Sequence, residues 1–207
     1  MNWQDSWPLD RMQSHLRESA QVTRQVADVC ADAILSAASM LADTFRAGGK
    51  ILLCGNGGSA ADCQHMAAEL VSRLTVDFER PGLPAIALTT DTSFLTAFAN
   101  DCGYSGAFAR QVQALGKPGD LLIGISTSGN SRSVLEAVEL ASKAQMRTIA
   151  LSGRGGRLIA CVDVAIAVPS TSAQYVQEAH IVIEHILCDL VERHMFGVHE
   201  MATTGAV

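Results

Sequence analysis

The sequence contains no stretch long and apolar enough to cross a bilayer; its longest apolar runs are short and interrupted. Nor does the N-terminus offer an uninterrupted apolar segment. Asp5, Asp10, Arg11, Arg17 and Glu18 break up the first 24 residues, so no secretory signal is expected. No basic stripe is present either: 15 Lys and Arg stand against 21 Asp and Glu, dispersed, for a net charge of −6. Binding of nucleic acid through phosphate neutralisation is therefore not expected. The six cysteines, Cys30, Cys54, Cys63, Cys102, Cys161 and Cys188, form no Cys-x-x-Cys pair. Scattered in this way they read as reduced thiols of a cytoplasmic protein, not as a disulfide framework. Linkers rich in Pro or Ser, low-complexity runs and fixed-period repeats are all missing. One domain over residues 1–207 is expected, with residues 1–30 a helical extension and 197–207 a flexible tail.

What the chain does contain is alternation. Two helices open it, and Ile34, Ala38, Leu41, Ala42 and Phe45 recur at helical spacing before Gly48-Gly49. Continuous apolar runs then read as buried strands: 50–54, 84–88, 120–125, 148–151 and 162–168. Helices are expected between them, at about 60–74, 92–100, 106–115 and 134–144, with a last one at about 173–195. Strands alternating with helices argue an α/β fold, a three-layer αβα sandwich around a mainly parallel five-stranded sheet. Sites in such sheets lie outside the carboxyl ends of the strands.

Two strand ends carry unusual loops. Ser126-Thr127-Ser128-Gly129-Asn130-Ser131 puts four hydroxyls in six residues between a strand and a helix. A helix N-cap uses one such side chain. Four suit an anion, bound by hydroxyls, free backbone N–H groups and the helix dipole. Neutral donors also suit a protein without a basic patch. The other loop, Gly55-Asn56-Gly57-Gly58-Ser59, is neither a GxGxxG fingerprint nor a P-loop, which would need a Lys. Alone it reads as a close-packing turn; beside the first loop it becomes a second wall of one cleft.

His65 and Glu69 are four residues apart on the helix that follows this loop, so they share one face. Such a pair serves metal binding, proton transfer or a plain surface contact. The last helix carries Gln177, His180 and His185. Gln177 and His185 are separated by about 80° of rotation and about 12 Å of rise. Geometry alone favours Gln177 with His180, three residues apart. His15, His194 and His199 read as solvent-facing.

Taken together, these motifs resemble a SIS domain: 54–59 reads CGNGGS and 124–131 reads GISTSGNS. The chain is similar in finer detail to the phosphoheptose isomerases. That likeness rests on Gln64-His65 with Glu69 and Arg73, on 84–91 (PAIALTTD), on Ala99-Asn100-Asp101, and on Gln177-Glu178 with His185. It runs from about Ile34 to Phe196. It departs at 172–176 (SAQYV), where the family carries a charged stretch ending in Arg-Ile, so it implies no polar contact from that segment.

The resemblance implies an aldose–ketose isomerase of flavodoxin- or Rossmann-like fold. Its reaction would be sedoheptulose 7-phosphate to D-glycero-D-manno-heptose 7-phosphate, the first step towards ADP- or GDP-heptose. Glu69 and His185 would be the base and acid, in an order that depends on direction. One Zn²⁺ per subunit would be held by His65, Glu69, Gln177 and His185, leaving His180 as an ordinary helix residue. Ser59, Ser126, Thr127, Ser128 and Ser131 would hold the phosphate. Asn56, Gly57, Gly58, Asn100 and Asp101 would meet the sugar, with Glu69 and Gln177 also at the substrate and Arg73 orienting the site. The family implies a homotetramer in the cytoplasm, with a sugar phosphate as partner and no nucleic acid or membrane. A second reading is a non-catalytic SIS protein that binds the replication initiator protein. Retention of His65, Glu69, Gln177 and His185 argues against it. A third, a sugar-phosphate sensor, would need a DNA-binding extension that the sequence lacks.

Overall fold

The computed structural model describes residues 6–76 and 79–197. Helices α1 (Trp7–Val29) and α2 (Ala31–Arg46) lead into strand β1 (Ile51–Gly55) and α3 (Gly58–Val71). Strand β2 (Ala85–Ala87) is followed by α4 (Thr92–Cys102), a 3-10 turn (Tyr104–Gly106) and α5 (Ala107–Leu115). Then come β3 (Leu121–Ser126), α6 (Arg132–Lys143), β4 (Arg147–Ser152), β5 (Val164–Ala167) and the long α7 (Ala173–Phe196). The five strands form one sheet in the order β2-β1-β3-β4-β5, and every neighbouring pair is parallel.

Strand side chains alternate between two faces, and both faces here are apolar. Ile51 and Leu53 of β1 join Ile123 and Ile125 of β3 in a core shared with α2, α3 and α7. Leu52 and Cys54 join Leu122 in a second core, closed by Phe108 and Val112 of α5 and by Val134, Ala137 and Val138 of α6. This is the three-layer α/β sandwich that continuous apolar strands imply. All six cysteines are free; four are buried, while Cys102 and Cys161 are exposed. No single helix among the described residues is long and apolar enough to cross a membrane; α1 and α2 pass that test only as a pair, bent by 72°.

Two expectations need correction. Helix α3 ends at Val71, not near Leu74, so Arg73 lies beyond it. The cause is distant in sequence. Arg80, its side chain fully buried, donates to the Leu70 carbonyl (2.8 Å) and the Glu69 carbonyl (2.8 Å) and so occupies the helix end. Its Nε donates to Glu192 Oε1 of α7 at 2.8 Å, and the same oxygen accepts from the Leu74 N–H at 3.0 Å. His15 is not solvent-facing: its Nε2 meets Glu178 Oε1 at 2.7 Å and its ring stands edge-on to Tyr175, tying α1 to α7. His194 is exposed as expected, while His199 and the tail from 198 lie outside the described residues. Helix α4 buries none of its residues, although Phe94 and Phe98 stack on one another with ring centres 5.5 Å apart.

Truncating one member of a buried ion pair strands its partner's charge, at a cost of about 3–5 kcal/mol. Arg80→Met is expected to lose that much in urea denaturation. The double variant Arg80→Met/Glu192→Leu is expected to recover part of the loss; equal losses in both would show that the pair is not what fastens α3 to α7.

His180 is fully buried on α7. Burial, opposed in part by the Ser152 backbone, pushes its pKa from 6.5 down to about 4. Between those values the unfolded chain binds a proton that the folded chain does not, so stability falls as pH drops through this window. Melting temperatures between pH 6.5 and 4.5 should fall more steeply for wild type than for His180→Gln, and parallel slopes would contradict the buried neutral imidazole.

Candidate active site

Strands β1 and β3 pair in register, with Gly55 opposite Ile125. The chain leaves β1 towards β2 on one side and leaves β3 towards β4 on the other, so the order of the sheet reverses between them. A crevice at the carboxyl ends of the strands is the outcome of such a switch. Here it is a cavity of about 160 Å³ lined by Asn56, Ser59, Ile125, Ser126, Thr127, Ser128 and Ser131. The fold thus brings five of the expected phosphate residues and Asn56 around one hollow. A larger open cleft, about 610 Å³, includes Arg147 and Val164 at the starts of β4 and β5. It lies at the opposite end of the strands from both loops.

Within the hydroxyl loop, Ser126 Oγ and Ser128 Oγ approach to 3.5 Å, and Ser128 Oγ accepts from the Asn130 N–H at 3.2 Å. Ser131 stands at the N-cap position of α6 with its hydroxyl free of the helix, and it accepts from Asn56 Nδ2 at 2.7 Å, so the two walls are joined directly. Across the cleft, Gly57 has φ +59, a conformation that side chains rarely adopt, and it starts α3. Gly58 marks a close approach instead. A Cβ there would sit 2.0 Å from Gln177 Nε2, because the Gln177 side chain lies directly against it.

Helices α3 and α7 run alongside one another from this point. Gln177 Nε2 faces the buried Asp62 carboxylate at 3.3 and 3.5 Å. Burial raises the Asp62 pKa, while the Gln177 bond and nearby His65 oppose the rise. Further along, His65 Nε2 and His185 Nε2 face each other at 2.8 Å, and Glu69 Oε1 is 3.8 Å from His65 Nε2. Two imidazole nitrogens at that distance share one proton as a hydrogen bond. Glu184, one residue before His185, is buried with neither carboxyl oxygen hydrogen-bonded. Burial, with the Asp62 charge nearby, pushes its carboxyl up to about 9, so it is neutral at neutral pH.

The expected metal quartet is therefore divided. His65, Glu69 and His185 gather at one place, whereas Gln177 is engaged with Asp62 nearer the start of α3. Among the described residues, no three His, Cys, Asp or Glu are arranged to hold an ion. The donor chemistry of His65, Glu69 and His185, two imidazoles and a carboxylate, nevertheless suits zinc. Asn100 and Asp101 lie exposed at the end of α4, with Asn100 Nδ2 donating to Asp101 Oδ1 at 2.8 Å. Arg73 is exposed, and its guanidinium is turned to the Val76 carbonyl at 3.4 Å. The structure thus shows no contact joining Arg73, Asn100 or Asp101 to the cavity or to the histidine pair. Sequence reasoning missed Asp62, Ser133, Glu184 and Tyr104. Asp62 had a local signal, lying one helical turn before His65; Ser133 and Tyr104 are brought in by Asn56, 77 and 48 positions away, and Glu184 is marked only by its burial.

Comparison with known proteins now bears on this geometry. The family model described as "SIS domain" matches residues 14–153. A phosphoheptose isomerase of Roseiflexus sp. is 51% identical over 92% of this chain and 94% of its own. One from Chlorobaculum tepidum is 55% identical over 86% of each. Among solved structures, phosphoheptose isomerase GmhA from Neisseria gonorrhoeae superposes with a TM-score of 0.84 at 43% identity, covering 89% of this chain and 98% of that one. A phosphoheptose isomerase from Francisella tularensis gives 0.86 at 40% identity, with 90% and 98% covered. Identity at this level over nearly the whole length, on the same fold, means that the chain belongs to the SIS-domain family and, within it, to the phosphoheptose isomerases.

Proposed function

We propose that the enzyme interconverts sedoheptulose 7-phosphate and D-glycero-D-manno-heptose 7-phosphate, at the entry to nucleotide-activated heptose synthesis. The observation that carries this reading is that one helix, α3, carries both Ser59 of the hydroxyl-lined cavity and the His65–Glu69 pair that meets His185 of α7. Ser59 lines the cavity and His65 follows six residues later, a rise of about 9 Å. In a heptose 7-phosphate the phosphate-bearing carbon is six bonds of about 1.5 Å from C1. A substrate anchored by its phosphate at Ser59, Ser126, Thr127, Ser128 and Ser131 would thus extend C1 and C2 towards His65 and Glu69.

Isomerisation moves a proton between C1 and C2 through a cis-enediol, with matching transfers at O1 and O2. It needs one base, one acid and stabilisation of the developing oxyanion. Glu69 takes the carbon-bound proton and returns it to the neighbouring carbon. His185 protonates one oxygen and deprotonates the other, so that in either direction each group serves once as acid and once as base. His65 fixes the His185 ring by the nitrogen–nitrogen contact. Asn56, Gly57, Gly58, Asn100, Asp101 and Gln177 would complete the sugar contacts, and Arg73 would orient the closed site. His65, Glu69 and His185 would hold a zinc ion, joined by Gln177 once its amide leaves Asp62, and the ion when bound would supply Lewis-acid polarisation of the substrate oxygens.

A homotetramer in the cytoplasm completes the reading. Its support is α4, a three-turn helix bearing Phe94, Leu95 and Phe98 that buries none of its residues within one subunit. Trp7, Leu9, Met12 and Leu16 of α1 are likewise exposed.

The test is direct. Zinc-loaded protein is incubated with sedoheptulose 7-phosphate and formation of the aldose is followed by NMR. Wild type is expected to turn over, and Glu69→Gln and His185→Ala to lose roughly 10²-fold or more, the scale of general acid–base catalysis. A wild type inactive with zinc, with other divalent ions and with chelator would overturn the assignment. Zinc titration by calorimetry should in parallel show weaker binding for His65→Ala than for wild type; equal affinity would remove His65 from the ligand set.

A further inference from the structure

We propose that Tyr104 is a positioning residue that sets the hydrogen-bond polarity of the phosphate cradle, acting through Asn56 on Ser131. The inference rests on the phosphate-binding reading of the strand-end loops. Tyr104 follows Gly103, whose φ of +84 turns the chain out of α4. The tyrosine ring stands edge-on to fully buried Phe108, with ring centres 5.9 Å apart, so its direction is fixed by the core. From there its hydroxyl donates to Asn56 Oδ1 at 2.6 Å.

That single bond decides which way the Asn56 amide faces. With Oδ1 held by the phenol, Nδ2 is directed at the hydroxyl loop, where it donates to Ser131 Oγ at 2.7 Å and to Ser133 Oγ at 3.0 Å. Both serine oxygens are thereby used as acceptors. A hydroxyl has one proton to give, and Ser131, which lines the cavity, keeps its own free for an anion. Ser133 Oγ, 3.3 Å from Ser131 Oγ, can donate to it and reinforce that arrangement. If the amide were reversed, its oxygen would face Ser131 and Ser133 and draw their protons away from the cavity. A phosphate accepts hydrogen bonds and would lose a donor. Tyr104 is about half exposed and contributes no atom to the cavity lining, so its influence is on the donor it orients.

The experiment compares Tyr104→Phe, Ser131→Ala and the double variant, reading kcat and KM for sedoheptulose 7-phosphate and competitive inhibition by inorganic phosphate. Melting temperatures confirm folding. Loss of one hydrogen bond is expected to raise KM and the phosphate inhibition constant about 3- to 10-fold in Tyr104→Phe, with kcat within about twofold. Because Tyr104 acts through Ser131, the double variant should bind phosphate no more weakly than Ser131→Ala alone. If Ser131→Ala weakens phosphate binding and Tyr104→Phe does not, the positioning role is overturned while the phosphate loop stands. If neither variant weakens it, the phosphate reading of the loop falls, and this inference with it. Additive losses, or a fall in kcat at unchanged KM, would likewise overturn the proposal, since Tyr104 would then act elsewhere than through Ser131.

Discussion

The parallel pairing of β1 with β3 is the contact on which the site depends. It sets Gly55 opposite Ile125, and so places two loops that are about 70 residues apart in sequence across a single crevice. Neither loop makes a site alone. The hydroxyls after β3 need an opposite wall, and the glycine loop after β1 needs donors to face. Pairing in register makes them one cavity, and the reversal of sheet order at that point keeps a strand connection from covering it.

From that cavity the candidate site continues along the seam between α3 and α7. Gln177 lies against Gly58, Asp62 holds Gln177, and His65 meets His185 further on. Burial leaves the interior of this seam largely uncharged: His180 is held neutral, and Glu184 keeps its proton at neutral pH. The ion pair of Arg80 with Glu192 closes the far end of α3, where the Glu69 carbonyl is one of its anchors. The backbone beneath the proposed base is therefore secured by a buried charge pair from outside the helix.

Much of this was legible in the sequence, because it is local. A buried parallel strand is a continuous apolar run bounded by glycine, and all five strands fell where such runs stand. The hydroxyl loop was legible for the same reason: its donors are consecutive. What was not legible depends on partners distant in the chain. The pattern of α3 continues to Leu74, yet the helix stops at Val71 because Arg80 returns to occupy its last carbonyls. His15 pairs with a residue 163 positions away, and nothing around it announces that. The separation of Gln177 from His185 was visible in their helical rotation, and they do meet α3 at different levels. The contacts of Asn56 with Tyr104 and Ser131 link three segments that only the folded sheet brings together.

Ser59, His65 and Glu69 share one unbroken helix, and this makes α3 intolerant of changes in length. Each residue of an α-helix advances about 100° around the axis. One residue inserted between Ser59 and His65 would keep the hydroxyl-lined cavity in place and turn the imidazole and carboxylate together away from α7. A substitution in α3 leaves that spacing alone, whereas a gain or loss of a single residue within it would separate the cavity from the His65–Glu69 pair in one step.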